Sequence, residues 1–554
     1  MINIDSTSVA VETSAELKTI LEGNNDYTKI YLANDITLAQ GITILGTKAE
    51  ITIDGLYPTD GTGTIHTYTD MNSAGSENAI GVRTASSIHV TVQNLNVIGR
   101  NYYGLIYVSD NSNHQNVVVT YKNINYTGTQ INYHPSGLSI YHDLTINIVD
   151  STASVANEVA EAGSLKIGGK TTITHNSTAN SAFWFRGYNS SPFLEILEDA
   201  DVTLTTTRDV IYTSNPVKFI ANKKSSFKVT TKYGFFRDNS HQFSNVLLDE
   251  NSIFSVIQTQ TNGTNAMISC RETFTVNNKS TLYLQANYSN SAPLIRFTTS
   301  SSAFNITNPK SIILYNSSYA CLAFSNTTTF NITCGKLDYW LTSPNLIDTG
   351  IIENNPLYSW HKSDEINLIL SATVTSSKTT INSNNLTESE IQSLPELSLL
   401  NFQTAKTLRF LEFGNLELKN APSIIVFQKP LISTNPLILG RKEKTIKMSV
   451  VDSRAISSNW YLYVYIDKPL STENNKYTLP DSLIYVDDTD KITTINDKPV
   501  LIFSGSENLG VTKTTNIEWK EHTGILFKVI NALQNGEYYS TLVNWILTDK
   551  LLEE

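Results

Sequence analysis

The sequence contains little charge: charged residues make up 16% of its 554 residues, whereas hydrophobic residues make up 40%. This balance excludes a disordered, highly charged chain and indicates an ordered protein. The formal net charge of -11 at pH 7 argues against nucleic acid or anionic membrane as a general partner, because phosphate binding needs a basic surface. The length predicts two or more domains, or one long repeat array with an added module.

Cysteines and long apolar runs are also scarce. Cys270, Cys321 and Cys334 are too few, and odd in number, for a disulfide framework, so we expect them to pack as small apolar residues. No stretch approaches the roughly 20 apolar residues of a membrane helix. The first residues lack a basic region followed by an apolar one, so no secretory signal is recognisable. The sequence leaves open whether such a signal has been removed.

Asn, Ser, Thr, Ile and Tyr are abundant instead, which favours strands and turns over helices. Five segments share one template: an alternating apolar pair, five residues, and a second alternating pair. The second apolar position is occupied by Ile196, Ala221, Leu248, Val276 and Ile306, and the third, six residues later, by Val202, Phe227, Phe254, Leu282 and Ile312. The same pattern extends upstream through Leu165, Ile167 and Ile173, and downstream through Phe330 and Ile332.

A further apolar cluster follows in each unit, as in "AFWF" (182–185) and "PLIRF" (293–297). Three short alternating strands in every 25–30 residues are typical of one coil of a parallel β-helix. An antiparallel sandwich would show hairpin dipeptides every 8–12 residues instead. The pattern therefore predicts a parallel β-helix solenoid over residues 29–345. Residues 1–28 contain a short amphipathic helix at 15–21 and are predicted to cap the solenoid.

The opening coils carry a family resemblance. "TKIYLANDITL" (28–38), followed by "ITIDG" (51–55), resembles the start of the pectate-lyase-like β-helix domains of bacterial surface adhesins, over about residues 10–345. The resemblance implies a right-handed β-helix. About a dozen coils at ~4.8 Å per strand spacing would extend on the order of 60 Å.

The remaining sequence predicts a linker at 346–404 with a short helix at 387–400, and then an antiparallel β-sandwich at 405–554. Three pieces of the last part resemble the WxL family of Gram-positive surface domains. They are Leu411-Glu412-Phe413-Gly414, the run Val451-Asp452-Ser453-Arg454 leading to Trp460-Tyr461-Leu462, and the closing segment with Trp545-Ile546-Leu547. The resemblance implies secretion and non-covalent attachment to peptidoglycan.

The Trp-x-Leu pairs, Trp460 with Leu462 and Trp545 with Leu547, admit two interpretations. Residues two apart in a strand face the same side, so both pairs could be core, which we favour. An exposed tryptophan would instead offer a flat apolar face and an indole N–H to a sugar ring.

Catalysis has weak support in the sequence. Lyases of this fold typically hold calcium with stacked carboxylates and use an arginine as base, and hydrolases need two carboxylates facing each other. The carboxylates here do not recur in register: Glu195, Glu198 and Asp199 crowd one coil, whereas the coil at 274–284 has none in its template. We therefore predict no enzyme, no metal and no cofactor, with a polysaccharide lyase, a hydrolase or a phage tailspike as alternatives.

Five residues are candidate glycan contacts. Arg186, Arg237 and Arg271 each follow a third strand and could form a sparse basic stripe for an anionic glycan or teichoic acid, although we favour hydrogen bonding to carbonyls at a corner. Trp184 is out of phase with its phenylalanine neighbours and so faces outwards, where it could form a sugar platform beside Tyr188, although we favour a partly covered loop contact.

These observations predict a non-catalytic Gram-positive surface adhesin or wall-associated protein, extracellular and attached to the cell wall. Its expected partners are peptidoglycan or another wall polymer through the C-terminal domain, and a host glycan or protein through the β-helix, where multivalency would supply affinity. The alternative is a structural subunit of a spore coat or surface appendage. The oligomeric state stays open.

Overall fold

A computed structural model of the chain describes residues 1–552 except 86, 111, 150–156, 178, 261–263, 288–290, 325–327, 345, 348–350, 353–355, 374–375, 383–403, 413, 415, 429–436, 453, 455–458, 474, 506–512, 531–536 and 550. It divides into two compact units. The first comprises Met1–Trp360 and Ile366–Leu411, and the second comprises His361–Glu365 and Glu412–Glu554. The predicted helix at 387–400 lies outside the described residues.

The first unit is a β-solenoid of about 11 turns over residues 29–333, as the repeat predicts. A short helix, Ser14–Glu22, precedes it and buries Leu17, Ile20 and Leu21. Its N-cap is Thr13, whose hydroxyl accepts a hydrogen bond from the Glu16 N–H at 3.2 Å. The opening strands, several of which pass round a corner, are Ile2–Asn3, Ser8–Val11, Lys29–Leu32, Ile36–Thr37, Ile42–Thr43, Glu50–Asp54, Leu56–Tyr57, Thr64–Ile65, Thr67–Thr69, Ile80–Val82, His89–Gly99, Ile106–Val108, Val118–Gly128, Asn132–Ile148 and Ala160–Gly168.

Most of the later coils contain three separate strands, and in the coil of Val217–Ala221 an isolated bridge of Phe236 with Ile211 takes the place of the third strand. First strands are Phe193–Ile196, Val217–Ala221, Phe243–Leu248, Thr273–Val276, Ala303–Thr307 and the start of Thr328–Trp340. Second strands are Lys170–His175, Asp201–Thr206, Ser226–Thr231, Ile253–Gln258, Thr281–Ala286 and Ser311–Asn316. Third strands are Phe183–Phe185, Ile211–Thr213, Ile268–Cys270, Ile295–Phe297 and Leu322–Phe324. Two short 3-10 helices, Ser76–Asn78 and Ser112–His114, lie among the earlier coils.

The predicted register is confirmed almost throughout. The second template positions pair in parallel from one coil to the next, as do the third positions from Val202 to Ile312. One assignment is wrong: Ile173 pairs with Leu204, and Thr171 takes the place opposite Val202. The turn at Gly169 in that coil is two residues shorter than the turn before Asp201, so the following strand is displaced by two positions.

A left-handed residue marks the corner between first and second strands. Its φ lies between 38° and 60° at Asn94, Asn123, Asp143, Gly169, Asp199, Lys224, Asn251, Lys279 and Asn308. Asn, Asp and Gly tolerate this conformation best, because a short polar side chain can bond locally and glycine has no Cβ. The left-handed corner thus explains why Asn, Asp and Gly recur between the second and third apolar positions of the template.

The solenoid ends with a strand that arrives from far along the chain. Thr407–Leu411 pairs antiparallel with Ser311–Asn316 on one side and with the end of Thr328–Trp340 on the other. Arg409 Nε donates to Asp338 Oδ2 at 2.7 Å, and the Asp338 side chain is fully buried. Residues 405–411, which the sequence analysis assigned to the C-terminal domain, therefore belong to the solenoid.

Between the solenoid coils and this strand, the structure contains Leu346–Ile347 paired with Ile351–Ile352, and the hairpin Tyr358–Thr373 with Ser376–Asn382. All three cysteines are buried thiols, as predicted. Among the described residues, no helix is long and apolar enough to span a membrane.

The second unit consists of small antiparallel sheets with their own buried core. The strands are antiparallel, as predicted, but they form several small sheets, so the arrangement of two packed sheets stays a prediction. The strands of the second unit are Leu416–Lys419, Leu437–Leu439, Ile446–Asp452, Trp460–Ile466, Leu470–Thr472, Thr478–Leu479, Leu483–Val486, Ile492–Thr494, Val500–Gly505, Lys513–Trp519, Gly524–Val529, Tyr539–Ser540 and Val543–Thr548.

Candidate functional site

Outward-facing aromatic residues line up on the third-strand side of the solenoid. Because alternate residues of a strand face opposite ways, the residue between two buried ones points to solvent. Phe183 and Phe185 are buried, and Trp184 between them is half-buried, which agrees with its predicted outward phase. Parallel register places one such residue per coil in a row, namely Tyr107, Tyr133, Glu161, Trp184 and Tyr212. We call this row, with Tyr103 beside it, the aromatic stripe.

The tyrosines at one end of the aromatic stripe form a compact cluster. The rings of Tyr107 and Tyr133 stack, with centroids 5.3 Å apart. Tyr103 meets both rings edge-on, at 5.2 and 4.9 Å. Tyr133 is only 6% exposed, but Tyr103 and Tyr107 are half-buried and each presents part of a ring to solvent. Parallel register builds this cluster, because it sets residues of successive coils one strand spacing apart.

Trp184 and Tyr212 continue the stripe in the next coils. Their ring centroids are 5.3 Å apart at an interplanar angle of 65°. Tyr212 also contacts His241, with ring centroids 4.6 Å apart. Both aromatic residues remain half-buried, so this half of the stripe also offers ring surface to solvent.

Each half of the stripe carries arginines over its rings. The guanidinium carbon of Arg83 lies 5.2 Å from the centroid of Tyr107, that of Arg186 lies 4.5 Å from Trp184, and that of Arg237 lies 5.1 Å from Tyr212. These distances are within the range of cation–π attraction. The arginines therefore hold the rings in place, and Arg83 is itself fixed by donating to the carbonyls of Ile42 and Ser76.

Arg186 is the centre of a charged network. Its Nη1 donates to Glu161 Oε2 at 2.9 Å and its Nη2 donates to Asp110 Oδ2 at 3.2 Å. The hydroxyl of Tyr102 also donates to Glu161, at 3.3 Å. The Glu161 side chain is 1% exposed, and burial raises its pKa although Arg186 opposes the change. Burial, together with the charge of Glu161, raises the pKa of the neighbouring Glu158 to about 8.

The five predicted glycan contacts do not share one environment. Trp184 and Arg186 lie in the stripe, with Arg186 neutralised by two carboxylates. Tyr188 lies next to them and is 39% exposed, and the Asp110 carboxylate raises the pKa of its phenol. Arg237 lies over Tyr212, whereas Arg271 lines a groove elsewhere on the solenoid. The hypothesis of one basic stripe through the three arginines therefore finds no support in these contacts.

The Trp-x-Leu residues lie in neighbouring strands of the second unit. Leu462 pairs directly with Leu547, and Trp545 pairs with Val464. Trp460 and Leu462 are fully buried, with the Trp460 ring stacked on Phe503 at 5.6 Å.

Trp545 and Leu547 are half-buried and pack against the same core, and Trp545 stacks on Trp519 at 5.9 Å. Burial of this kind matches the core interpretation of the first pair. Two residues of the other WxL-like pieces, Phe413 and Ser453, lie outside the described residues.

Sequence reasoning missed the tyrosine half of the stripe and its acidic partners. Tyr107 and Tyr133 each stand between residues that face inwards, so the alternation rule that identified Trp184 would also have identified them. Their coils depart from the repeat template, which hid the alignment. Glu161 carries no such signal, because a buried carboxylate in a strand is recognised only through its partner Arg186.

The chemistry of the stripe suits binding more than reaction. Half-buried aromatic rings give flat apolar faces, and the adjacent guanidinium, phenol and carboxylate groups give hydrogen-bond donors and acceptors, as sugar rings require. Across the described residues, no group of three or more His, Cys, Asp or Glu side chains is arranged to hold a metal ion. Fold and stripe together define a β-solenoid with an outward-facing aromatic stripe.

Comparison with known protein families supports the resemblance to adhesin β-helices for the first coils of the solenoid. Residues 8–133 match the family model of the pectate lyase-like adhesive domain, which confirms that resemblance over the part of the chain containing Tyr103, Tyr107 and Tyr133. The match covers less than half of the chain. No curated protein sequence matches the chain.

Solved structures show only partial likeness. The SRRP of L. reuteri 53608 is 17% identical, with 52% of this chain and 98% of that chain covered and a TM-score of 0.32. The SRRP of L. reuteri 100-23 is 14% identical, with coverages of 54% and 86% and a TM-score of 0.31. Tailspike protein 4 of bacteriophage CBA120, an enzymatically active domain, is 8% identical, with coverages of 96% and 66% and a TM-score of 0.19. Superpositions this incomplete carry no argument about function.

Proposed function

We propose that the protein is a non-catalytic cell-surface adhesin whose aromatic stripe binds carbohydrate. The observation that carries the proposal is the row of half-buried rings with an arginine over each half. The adhesive-domain match over residues 8–133 supports it, because that segment supplies the tyrosine half of the stripe. Repetition along the solenoid axis fits a ligand with repeated units, to which several weak contacts add up.

The proposed lack of catalysis rests on the position of the carboxylates. A glycoside hydrolase needs two carboxyl groups facing each other across an accessible site. Here Glu161 is covered, and its carboxylate is bonded to Arg186 and Tyr102. We expect no release of reducing ends from any polysaccharide that the protein binds, and release that is lost in Glu161→Gln would contradict the proposal.

Glycan-array screening of the solenoid tests the adhesin function. The variant Tyr107→Ala, Trp184→Ala, Tyr212→Ala should weaken binding of the uncharged glycans that the wild type binds, by about two- to tenfold for each ring removed, since an aromatic contact contributes about 0.5–1.5 kcal/mol. Tyr319→Ala, which removes a ring that is 44% exposed, is the matched control. Equal binding by wild type and the triple variant would exclude the stripe as the binding surface.

We further propose that the second unit attaches the protein to peptidoglycan on a Gram-positive surface. Trp460 and Leu462 would serve as core, and the contact would fall on the exposed rim near the strand of Trp545, where Tyr538 and Leu542 are 89% and 70% exposed. Cutting the gene between Leu411 and Glu412 separates the first unit from the main part of the second, and only His361–Glu365 of the second unit stays in the first fragment. Fragment 412–554 should sediment with purified peptidoglycan, and sedimentation of 1–411 alone would overturn this division.

A further inference from the structure

A shallow groove of about 560 Å³ opens on the first-strand side of the solenoid, and its lining includes no residue of the aromatic stripe. Its volume lies in the range of small-ligand sites, about 300–1,000 Å³. Six of its lining residues belong to outward positions of first strands or the turns before them, and they are Lys166, Pro192, Phe193, Glu195, Lys218 and Ile220.

Backbone pairing of successive coils assembles the groove. Lys166 pairs with Glu195, and Phe193 pairs with Lys218. The Arg271 N–H donates to the Phe243 carbonyl at 2.8 Å, which brings a residue from the end of a third strand to the same place. These contacts fix the backbone on which the groove side chains stand.

A β-bulge interrupts the pairing beside the groove. Val217 pairs with Phe243, but Phe219 pairs with Val246, so one extra residue of the later strand lies opposite Lys218. A bulge redirects side chains and is common next to binding sites. Here it places Ser244 in the lining of the groove.

The groove is positively charged, although the protein carries a formal charge of -11. Lys166 Nζ lies 3.1 Å from Glu195 Oε2, so this pair is neutralised. Lys218 and Arg271 are exposed, and within the described part of the chain neither has an ion-pair partner. Two cations that lack counter-charges therefore face one cavity.

The floor and rim of the groove are matched to a sugar ring. Phe193 and Ile220 are half-buried and give apolar surface, while Ser190, Ser191 and Ser244 add hydroxyl groups. Lys166 Nζ lies 5.8 Å from the ring centroid of Phe193 and holds that ring beside the cavity. An apolar floor with a few convergent polar groups is the usual composition of a small-ligand site.

We propose that this groove binds one anionic sugar unit of a glycan. The carboxylate or phosphate of that unit lies between Lys218 and Arg271, where a guanidinium and an ammonium neutralise it, and the ring rests on Phe193 and Ile220. The site is separate from the aromatic stripe and goes beyond the proposed function: it adds selection for charge to a surface that otherwise recognises sugar rings.

Binding of three short probes to the full chain tests the proposal: a hyaluronan hexasaccharide, a glycerol phosphate hexamer and neutral cellohexaose. Isothermal titration calorimetry should show binding of at least one anionic probe, and that probe should bind at least tenfold more tightly than cellohexaose. The two anionic probes distinguish a carboxylate ligand from a phosphate ligand. Lys218→Gln, Arg271→Gln should weaken the bound anionic probe by about tenfold and reduce its salt dependence.

Two control variants distinguish binding in the groove from general attraction to surface cations and from binding at the aromatic stripe. Lys228→Gln, Lys310→Gln removes two exposed cations of the solenoid outside the groove, and should bind the anionic probe as the wild type does. The stripe variant Tyr107→Ala, Trp184→Ala, Tyr212→Ala should also retain it, so failure of the stripe and failure of the groove give different results. The proposal would be overturned if neither anionic probe binds. It would also be overturned if the double variant Lys228→Gln, Lys310→Gln weakens binding of the anionic probe as much as Lys218→Gln, Arg271→Gln does.

Discussion

The solenoid and the C-terminal unit build their buried cores differently: the solenoid repeats the same contacts from coil to coil, and the C-terminal unit does not. In the solenoid, a buried residue lies on its counterpart in the next coil, so Val202, Phe227, Phe254, Leu282 and Ile312 continue one ladder. In the C-terminal unit each buried contact is built once: Trp460 stacks on Phe503 and fits against Gly505, and neither contact recurs.

This difference determines how far a perturbation travels. A repeat contacts its neighbours only, and its stability is close to a sum of local and nearest-neighbour contributions. A small domain with one core depends on each large side chain for its whole fold. Substitutions of matched size in the two units are therefore the most direct test of the comparison.

The largest effects are expected from removing a buried ring in either unit. Phe254→Ala leaves a cavity beside Phe219 and Phe227 and should lower the free energy of unfolding of the solenoid by about 3–5 kcal/mol. Trp460→Ala should cost the C-terminal unit a similar amount. Calorimetry of the full chain should show each change in one transition only, and a shift of both transitions by either variant would contradict two independent cores.

Arg409→Met should have the next largest effect, about 3 kcal/mol on the solenoid. It leaves the Asp338 carboxylate buried without Arg409, whose Nε and Nη2 both contact Oδ2, and with only Lys336 Nζ at 3.7 Å from Oδ1 to compensate. The double variant Asp338→Leu, Arg409→Met removes both charges and should recover most of the loss in urea unfolding. If the double variant is no more stable than Arg409→Met, the inserted strand is held by packing and not by this pair.

Gly505→Ala probes a contact that occurs once, in the C-terminal unit. An added Cβ would lie 1.9 Å from Cε2 of Trp460, so the ring or the strand must move, at about 1–3 kcal/mol. Gly440→Ala in the same unit meets its nearest atom at 3.6 Å and serves as the control. Equal melting temperatures for the two variants would show that Trp460 has room to adjust.

Asn251→Ala probes a left-handed corner conformation that recurs at nine positions along the solenoid, and its effect should be the smallest. Asn251 has a φ of 60°, and alanine is less tolerant of this region, so we expect a loss of about 1 kcal/mol. Asn251→Gly keeps the backbone conformation accessible and should leave stability unchanged or raised. A loss with glycine as large as the loss with alanine would assign the effect to the side chain instead of the corner.

Periodicity explains how much of this structure can be predicted from the sequence. Positions such as Ile196 and Phe227 were identified with their register because the same environment recurs in each coil. Trp184 was placed by alternation alone. The error at Ile173 arose because a turn shorter by two residues shifts the strand while keeping its apolar alternation.

Features that depend on contacts between distant parts of the chain could not be predicted from the sequence. Nothing in "TLRFL" (407–411) distinguishes a strand of the solenoid from a strand of the next domain, since its partners lie about 70 to 100 residues earlier. The groove likewise needs Lys218 and Arg271 to meet across coils, and a bulge that only the pairing reveals. Local pattern predicts elements and neighbours, whereas these sites depend on tertiary register.

The inserted strand Thr407–Leu411 also determines where mechanical load enters the solenoid. Any tension applied along the backbone from beyond Glu412 reaches this strand before any coil. The strand is hydrogen-bonded on both edges and tied by Arg409 to Asp338, so several bonds must break together before the last coil opens. For a protein held at one end and bound to a ligand at the other, the junction would work as a clamp against shear.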